Sequence, residues 1–212
     1  MPLVCQQNIN EATKMAVWHI TEHEDFFLKK VTLSNNITHP HKRLQHLAGR
    51  YMLPELFEKF PLDLIKIADT RKPFLADEAY HFSISHCGDY AAAIVSKSNR
   101  VGVDIEVISE KVVSVKDKFL SQEEQEMING IINVHHSMLS IQLLTLAWSI
   151  KETMFKWYGD SGVDFREHLH IKNISFHDNE FQAQCILSKK DEVHLNLRGL
   201  IFNNNFLTWL VT

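Results

Sequence analysis

Residues 80–106 read YHFSISHCGDYAAAIVSKSNRVGVDIE, and their alternation decides what kind of fold the chain can adopt. Tyr80, Phe82 and Ile84 alternate with His81, Ser83 and Ser85, the period-two pattern of a strand with one buried face. Cys87-Gly88-Asp89 predicts a turn, Tyr90 to Ser96 a buried strand, and Ser98-Asn99-Arg100 a second turn. Val101, Val103 and Ile105 then alternate with Gly102, Asp104 and Glu106 in a third strand.

Upstream, Met15 to Ile20 is a candidate strand. The segment His41 to Tyr51 reads as helix, because Leu44, Leu47, Ala48 and Tyr51 recur at helical spacing. Pro40 suits its first turn, Pro54 is expected to end or kink it, and its other face carries Lys42, Arg43, His46 and Arg50. Downstream, Ser121 and Glu124 form a capping box that opens a helix toward Ile132. A longer helix runs from about Ser140 to Trp157 and stops at Gly159. The remainder, His168 to Thr212, is strand-like, with a turn at Asp178-Asn179. The expected class is α+β. The order of elements predicts two α/β halves of similar size, residues 1–100 and 101–212, with no repeat visible in the sequence itself.

Composition agrees with a folded chain. The 212 residues are 45% hydrophobic and 23% charged, with 22 basic and 26 acidic side chains for a net charge of −4. Bulk charge therefore argues against a general nucleic-acid binder, and any anion must be held by a local cluster. No stretch approaches the ~20 apolar residues of a membrane span. The opening MPLVCQQNINEATK shows no basic segment leading into an apolar run, so no secretory signal is expected. Three distant cysteines, Cys5, Cys87 and Cys185, read as reduced thiols of a cytoplasmic protein. Thirteen histidines are scattered and no CxxC accompanies them, so a structural zinc site has little support.

Several groups could carry chemistry. Asp104 and Glu106 share one strand face, and such hard oxygen ligands suit Mg²⁺, which takes one or two carboxylates plus phosphate oxygens and water. A solvated strand face is the plain alternative. Glu152 and Lys156 stand four apart on a helix, where an ordinary surface ion pair explains them equally well. Ser85 and His86 end a strand beside a turn, a place where a ligand phosphate can be met. A Cys87–His86 nucleophile pair is disfavoured, since adjacent side chains on a strand point apart. His19-Ile20-Thr21-Glu22-His23 matches the H-x-x-E-H pattern of inverted zinc peptidases, but follows a strand-like segment in a histidine-rich chain. Neither G-x-G-x-x-G nor G-x-x-x-x-G-K-[ST] occurs, so phosphate would be held by side chains and metal.

Taken in order, RKPFL, FSISHCGDYAAA, VGVDIE, KFLSQEE and WSIKETMFKWYG resemble the 4′-phosphopantetheinyl transferases, most of all the two-half type that activates surfactin synthetase. These stretches span residues 71–159. The resemblance implies two α/β halves related by a pseudo-twofold, with the active site between them. It also implies transfer of the phosphopantetheine arm of coenzyme A to a serine of an acyl or peptidyl carrier protein, with release of adenosine 3′,5′-bisphosphate. By resemblance, Asp104, Glu106 and Glu152 hold Mg²⁺, and Glu152 takes the serine proton, with Glu124 and Glu106 as alternatives. Lys156 would grip the pyrophosphate, and Ser85 and His86 would bind phosphates. Lys72 would lie near the nucleotide, and Arg43 and Arg50 are candidates for the 3′-phosphate.

Departures from the family pattern occur at Arg71-Lys72-Pro73, where Gly-Lys-Pro is common, and at Cys87 after Ser85-His86. Lys29 and Lys30 stand where the family sometimes places basic residues. Lys111, Lys116 and Lys118, interleaved with Val112, Val113, Val115 and Phe119, form a candidate docking segment for an acidic carrier. A solvated loop with core anchors is the alternative. A monomer is expected, since one chain supplies both halves, with neither nucleic acid nor membrane as partner. Two other functions stay open: a Mg²⁺-dependent phosphodiesterase, and a non-catalytic binder of coenzyme A or a carrier.

Overall fold

The computed structural model describes residues 3–32, 37–134 and 140–212. The chain divides into two compact units, Met1–Ile105 with Val211–Thr212, and Glu106–Leu210. The class is α+β, helices packed against antiparallel sheets.

The first unit holds β1 (Leu3–Asn8), β2 (Thr13–His19), α1 (Glu24–Leu28), α2 (Pro40–Leu56), a small hairpin of β3 (Ile65–Ile67) and β4 (Pro73–Leu75), then β5 (His81–Cys87) and β6 (Tyr90–Ser96). Its main sheet runs β1-β2-β6-β5, and every pairing is antiparallel. The alternation in β5 has a direct physical outcome. Phe82 and Ile84 join the apolar cluster under α2, while Ser83 and Ser85 are buried on the opposite face and must find polar partners. The face of α2 against the sheet carries Leu47, Ala48, Met52 and Leu53. Gly49 allows the close approach: a Cβ there would lie 2.5 Å from Ile84 Cγ2.

Pro54 does not end α2, which continues to Leu56. The ring removes only one helical N–H, and the Phe57 N–H still donates to Leu53 O at 3.0 Å. Buried Leu53, Leu56 and Phe57 hold that last turn by packing. The strand β7 (Val101–Val107) carries the chain across the division between the units.

The second unit contains α3 (Lys116–Phe119), α4 (Gln122–Val134), α5 (Ser140–Tyr158), α6 (Phe165–His168), β8 (Leu169–His177), β9 (Glu180–Ser188), β10 (Glu192–Phe202) and β11 (Asn205–Val211). The last four pair antiparallel in the order β11-β10-β9-β8. Leu143, Leu146, Ile150 and Met154 of α5 pack with Ile171, Phe181 and Leu197 in one core. Gly159, at φ +81°, ends α5 in the left-handed region. Asn203 and Asn204 both take positive φ in the two-residue link from β10 to β11, as a tight hairpin requires. Cys185 is buried in β9, and burial pushes its thiol pKa well above the ordinary range. No helix among the described residues is long and apolar enough to cross a membrane.

Candidate functional site

Within the first unit, α2 gathers the buried cation Arg50 and a neutral His46, with His86 of β5 nearby. Arg50 is only 9% exposed, and its Nη1 donates to His46 Nδ1 at 3.1 Å. Arginine is always a donor, so His46 Nδ1 is the acceptor and the imidazole proton sits on Nε2. That Nε2 is buried and has no hydrogen-bond partner. Burial, then the charges of Arg50 and His86, pull the His46 pKa down to about 4. Burial also lowers the Arg50 pKa. A buried guanidinium and an unanswered N–H side by side form a place that an anion would complete.

Arg43 is committed differently. Its Nε donates to Glu24 Oε2 at 3.2 Å, its Nη2 donates to the same carboxylate, and its Nη1 donates to Ile37 O at 3.2 Å. Glu24 is held below its usual pKa by that hydrogen bond. Lys72 is half-buried on the β3–β4 turn, and its carbonyl accepts from Ala68 N–H at 2.9 Å. Arg71 beside it sits at φ +66°, a region where a non-glycine residue is strained.

Still within that unit, Ser85 Oγ donates to Asp104 Oδ1 at 2.8 Å, and Asp104 is 1% exposed. Ser83 Oγ accepts from Val103 N–H at 3.1 Å. The two inward serines of β5 thus serve β7, one its backbone and one its carboxylate. His86 is exposed at the end of β5.

In the second unit, Glu106 is partly buried, and its Oε1 accepts from Trp148 Nε1 at 3.2 Å. Glu152 and Lys156, one turn apart on α5, are both partly exposed. Glu124 has a different setting, at 3% exposure. Its Oε2 accepts from Ser121 N–H at 2.8 Å and from Lys151 Nζ at 2.7 Å, and its Oε1 accepts from Ile171 N–H at 2.8 Å. The capping box is therefore present and also joined to a buried ion pair. Among the described residues, no three His, Cys, Asp or Glu side chains gather as a metal cage.

The structure bears on two further sequence readings, the disfavoured zinc motif and the docking segment. His19 ends β2 and α1 begins at Glu24, so His19 and His23 do not share a helix face. His19 stacks on Tyr90 at 4.8 Å, and Glu22 accepts from Trp18 Nε1 at 3.1 Å. In the docking segment, Val112 and Phe119 are core anchors, while Val113 is exposed and lines a groove with Lys116, Ile128 and Leu144. His46 stands on the polar face of α2, where nothing local in the sequence marks a role for it. Lys151 likewise carries no local signal, since its partners Phe119, Glu124 and Phe165 are distant in sequence.

A model of the 4′-phosphopantetheinyl transferase superfamily matches residues 100–207. The enterobactin synthase component D of Salmonella austin is 32% identical over 121 residues, 56% of this chain and 49% of that protein. A putative 4′-phosphopantetheinyl transferase of Haemophilus influenzae is 28% identical over 169 residues, 77% of this chain and 69% of that one. The 4′-phosphopantetheinyl transferase gsp of Aneurinibacillus migulanus is 29% identical over 121 residues, 57% of this chain and 46% of that protein. The chain thus spans about half the length of the first and third of these relatives. The superfamily match takes in β7 with both carboxylates, the capping box and the whole of α5, over half of the residues present, and the chain belongs to the 4′-phosphopantetheinyl transferase superfamily.

Proposed function

We propose that this chain transfers the 4′-phosphopantetheine arm of coenzyme A to a serine hydroxyl of an apo acyl or peptidyl carrier protein. The superfamily match over residues 100–207 carries the reading, because it encloses Asp104, Glu106, Glu152 and Lys156. In the reaction the serine oxygen forms a bond to the β-phosphorus, the bond from that phosphorus to the bridging oxygen breaks, and adenosine 3′,5′-bisphosphate leaves.

Roles follow from chemistry. Asp104 and Glu106 would hold Mg²⁺, with Glu152 as third candidate ligand. The donor set fits, since Mg²⁺ takes one or two protein carboxylates and fills its remaining positions with phosphate and water. When bound, Mg²⁺ supplies charge neutralisation and Lewis acidity at the pyrophosphate. Ser85 fixes the Asp104 carboxylate by its 2.8 Å bond. Glu152 accepts the serine proton, and Lys156 binds a pyrophosphate oxygen. Glu124 is left out of proton transfer, because three donors and burial already occupy it. Arg50, His46 and His86 receive a phosphate of coenzyme A, and Lys72 lies toward the nucleotide. Arg43 orders α1 against α2 through Glu24 and supports that cluster indirectly. Residues 1–100 would therefore serve the nucleotide, and residues 101–212 the metal and the carrier. The carrier would dock along Val113 and Lys116 with Lys111 and Lys118 beside them. The expected setting is a cytoplasmic monomer.

Intact-mass measurement of an apo carrier incubated with this protein, coenzyme A and Mg²⁺ tests the reading. A gain of one phosphopantetheine arm, lost with chelator and with Asp104→Ala, is expected. Cleavage of coenzyme A without a carrier would replace the transferase with a hydrolase, and binding without turnover would leave a non-catalytic member.

A further inference from the structure

The side chain of Lys151 is fully buried, and the proposed chemistry gives it no task. Its Nζ donates to Phe119 O at 2.6 Å, to Glu124 Oε2 at 2.7 Å and to Phe165 O at 2.9 Å, which uses all three of its protons. Burial lowers its pKa, and the charge of Glu124 opposes that shift. A well-packed apolar side chain in the same space is often no less stable than such a pair. The charge therefore calls for a reason other than stability.

The two carbonyls that Lys151 holds belong to residues whose rings both contact Trp148. Phe119 meets the indole edge-on at 5.2 Å between centroids, and Phe165 stacks on it at 5.5 Å with 29° between planes. The indole, in contact with both rings, donates its only N–H to Glu106. One ammonium thus holds the backbone of both aromatic neighbours of the indole that aims a hydrogen bond at a carboxylate. Glu124 keeps the ammonium in place, and is itself anchored to the first turn of α4 and to β8.

We propose that Lys151 is a positioning residue that sets the orientation of the Glu106 carboxylate through the Trp148 indole. One carboxylate oxygen is pinned by the N–H, which presents the other in a fixed direction. Outer partners of this kind typically change metal affinity or activity by about 10- to 100-fold when removed. The consequence for metal binding rests on the reading of Glu106 as a ligand. The link from Lys151 to the indole does not.

The test uses two readouts. The chain has four tryptophans, so an indole ¹H–¹⁵N spectrum should show four signals, and Trp148→Phe identifies one by its loss. In Lys151→Met the Trp148 signal should move or broaden while that of Trp18, in the other unit, stays put. Lys151→Met/Glu124→Gln removes both charges and serves if the single variant does not fold. The second readout is Mn²⁺ binding in the presence of coenzyme A, followed by electron paramagnetic resonance. Half-saturation should rise about tenfold or more in Trp148→Phe and in Lys151→Met, and combining the two should add little further. A folded Lys151 variant with an unmoved Trp148 signal and wild-type Mn²⁺ half-saturation overturns the proposal, as does full additivity. A moved Trp148 signal in a chain whose wild type binds no Mn²⁺ with coenzyme A upholds the positioning and removes the metal reading instead.

Discussion

Gly49→Ala separates two physical effects of opposite sign. In an exposed helix interior, glycine to alanine gains about 1 kcal/mol from the smaller entropy loss. Here the added Cβ would lie 2.5 Å from Ile84 Cγ2, against an ordinary carbon contact of about 3.5–4.0 Å. The obstacle is a β-branched methyl on a strand, which has little rotamer freedom with which to retreat. Relief needs α2 and β5 to part by roughly 1 Å, and overpacking of this kind costs about 1–3 kcal/mol. The net result is a loss of up to about 2 kcal/mol. With a urea slope of about 2 kcal/mol/M, the midpoint should fall by up to about 1 M. The same displacement would loosen the packing that desolvates His46, so its pKa should climb from about 4 back toward 6.5, which imidazole NMR reads directly. A variant with a raised urea midpoint and an unmoved His46 would refute the close-packing argument.

Other outcomes follow from the same geometry. His46 titrates at about 4 when folded and near 6.5 when unfolded, so its contribution to stability is full above pH 6.5 and drains as pH falls through 4; His46→Gln should flatten Tm between those values. Lys116→Glu/Lys118→Glu should raise the carrier KM about three- to tenfold and leave coenzyme A binding unchanged in steady-state kinetics. Gly199→Ala would place a Cβ 1.9 Å from the Phe181 ring, and thermal unfolding should show a Tm lower by at least about 2 °C. Lys156→Ala should lower both turnover and coenzyme A affinity, measured by single-turnover kinetics and calorimetry.

Much of the fold was readable because its signals are local. The alternation from Tyr80 to Glu106 foretold β5, β6 and β7, and Ser121 with Glu124 foretold the start of α4. The three-residue strands β3 and β4 are too short for a period to show, and Pro54 misled because packing of its neighbours outweighs one lost hydrogen bond. The candidate site was legible where residues carry a family pattern on one strand or one helix. It was illegible where the decisive partner is far away in sequence. Arg43 looked available until Glu24, 19 residues earlier, was seen to hold it. Glu124 resembled a spare base because Lys151 and Ile171 reach it only through folding. His46 became informative only when the direction of the Arg50 hydrogen bond fixed its tautomer.

Cys185 provides a built-in clock for the second unit. The residue is 2% exposed, and burial disfavours ionisation of its thiol, so the reactive thiolate is strongly suppressed while β9 remains covered. Alkylation at this position must wait for the unit to open. Peptide mass spectrometry of Cys185 after timed exposure to a thiol reagent therefore counts openings of that unit alone. It does so in the unmodified protein, with no dye and no denaturant, and reports how often the surroundings of Glu106 and Glu152 come apart on their own.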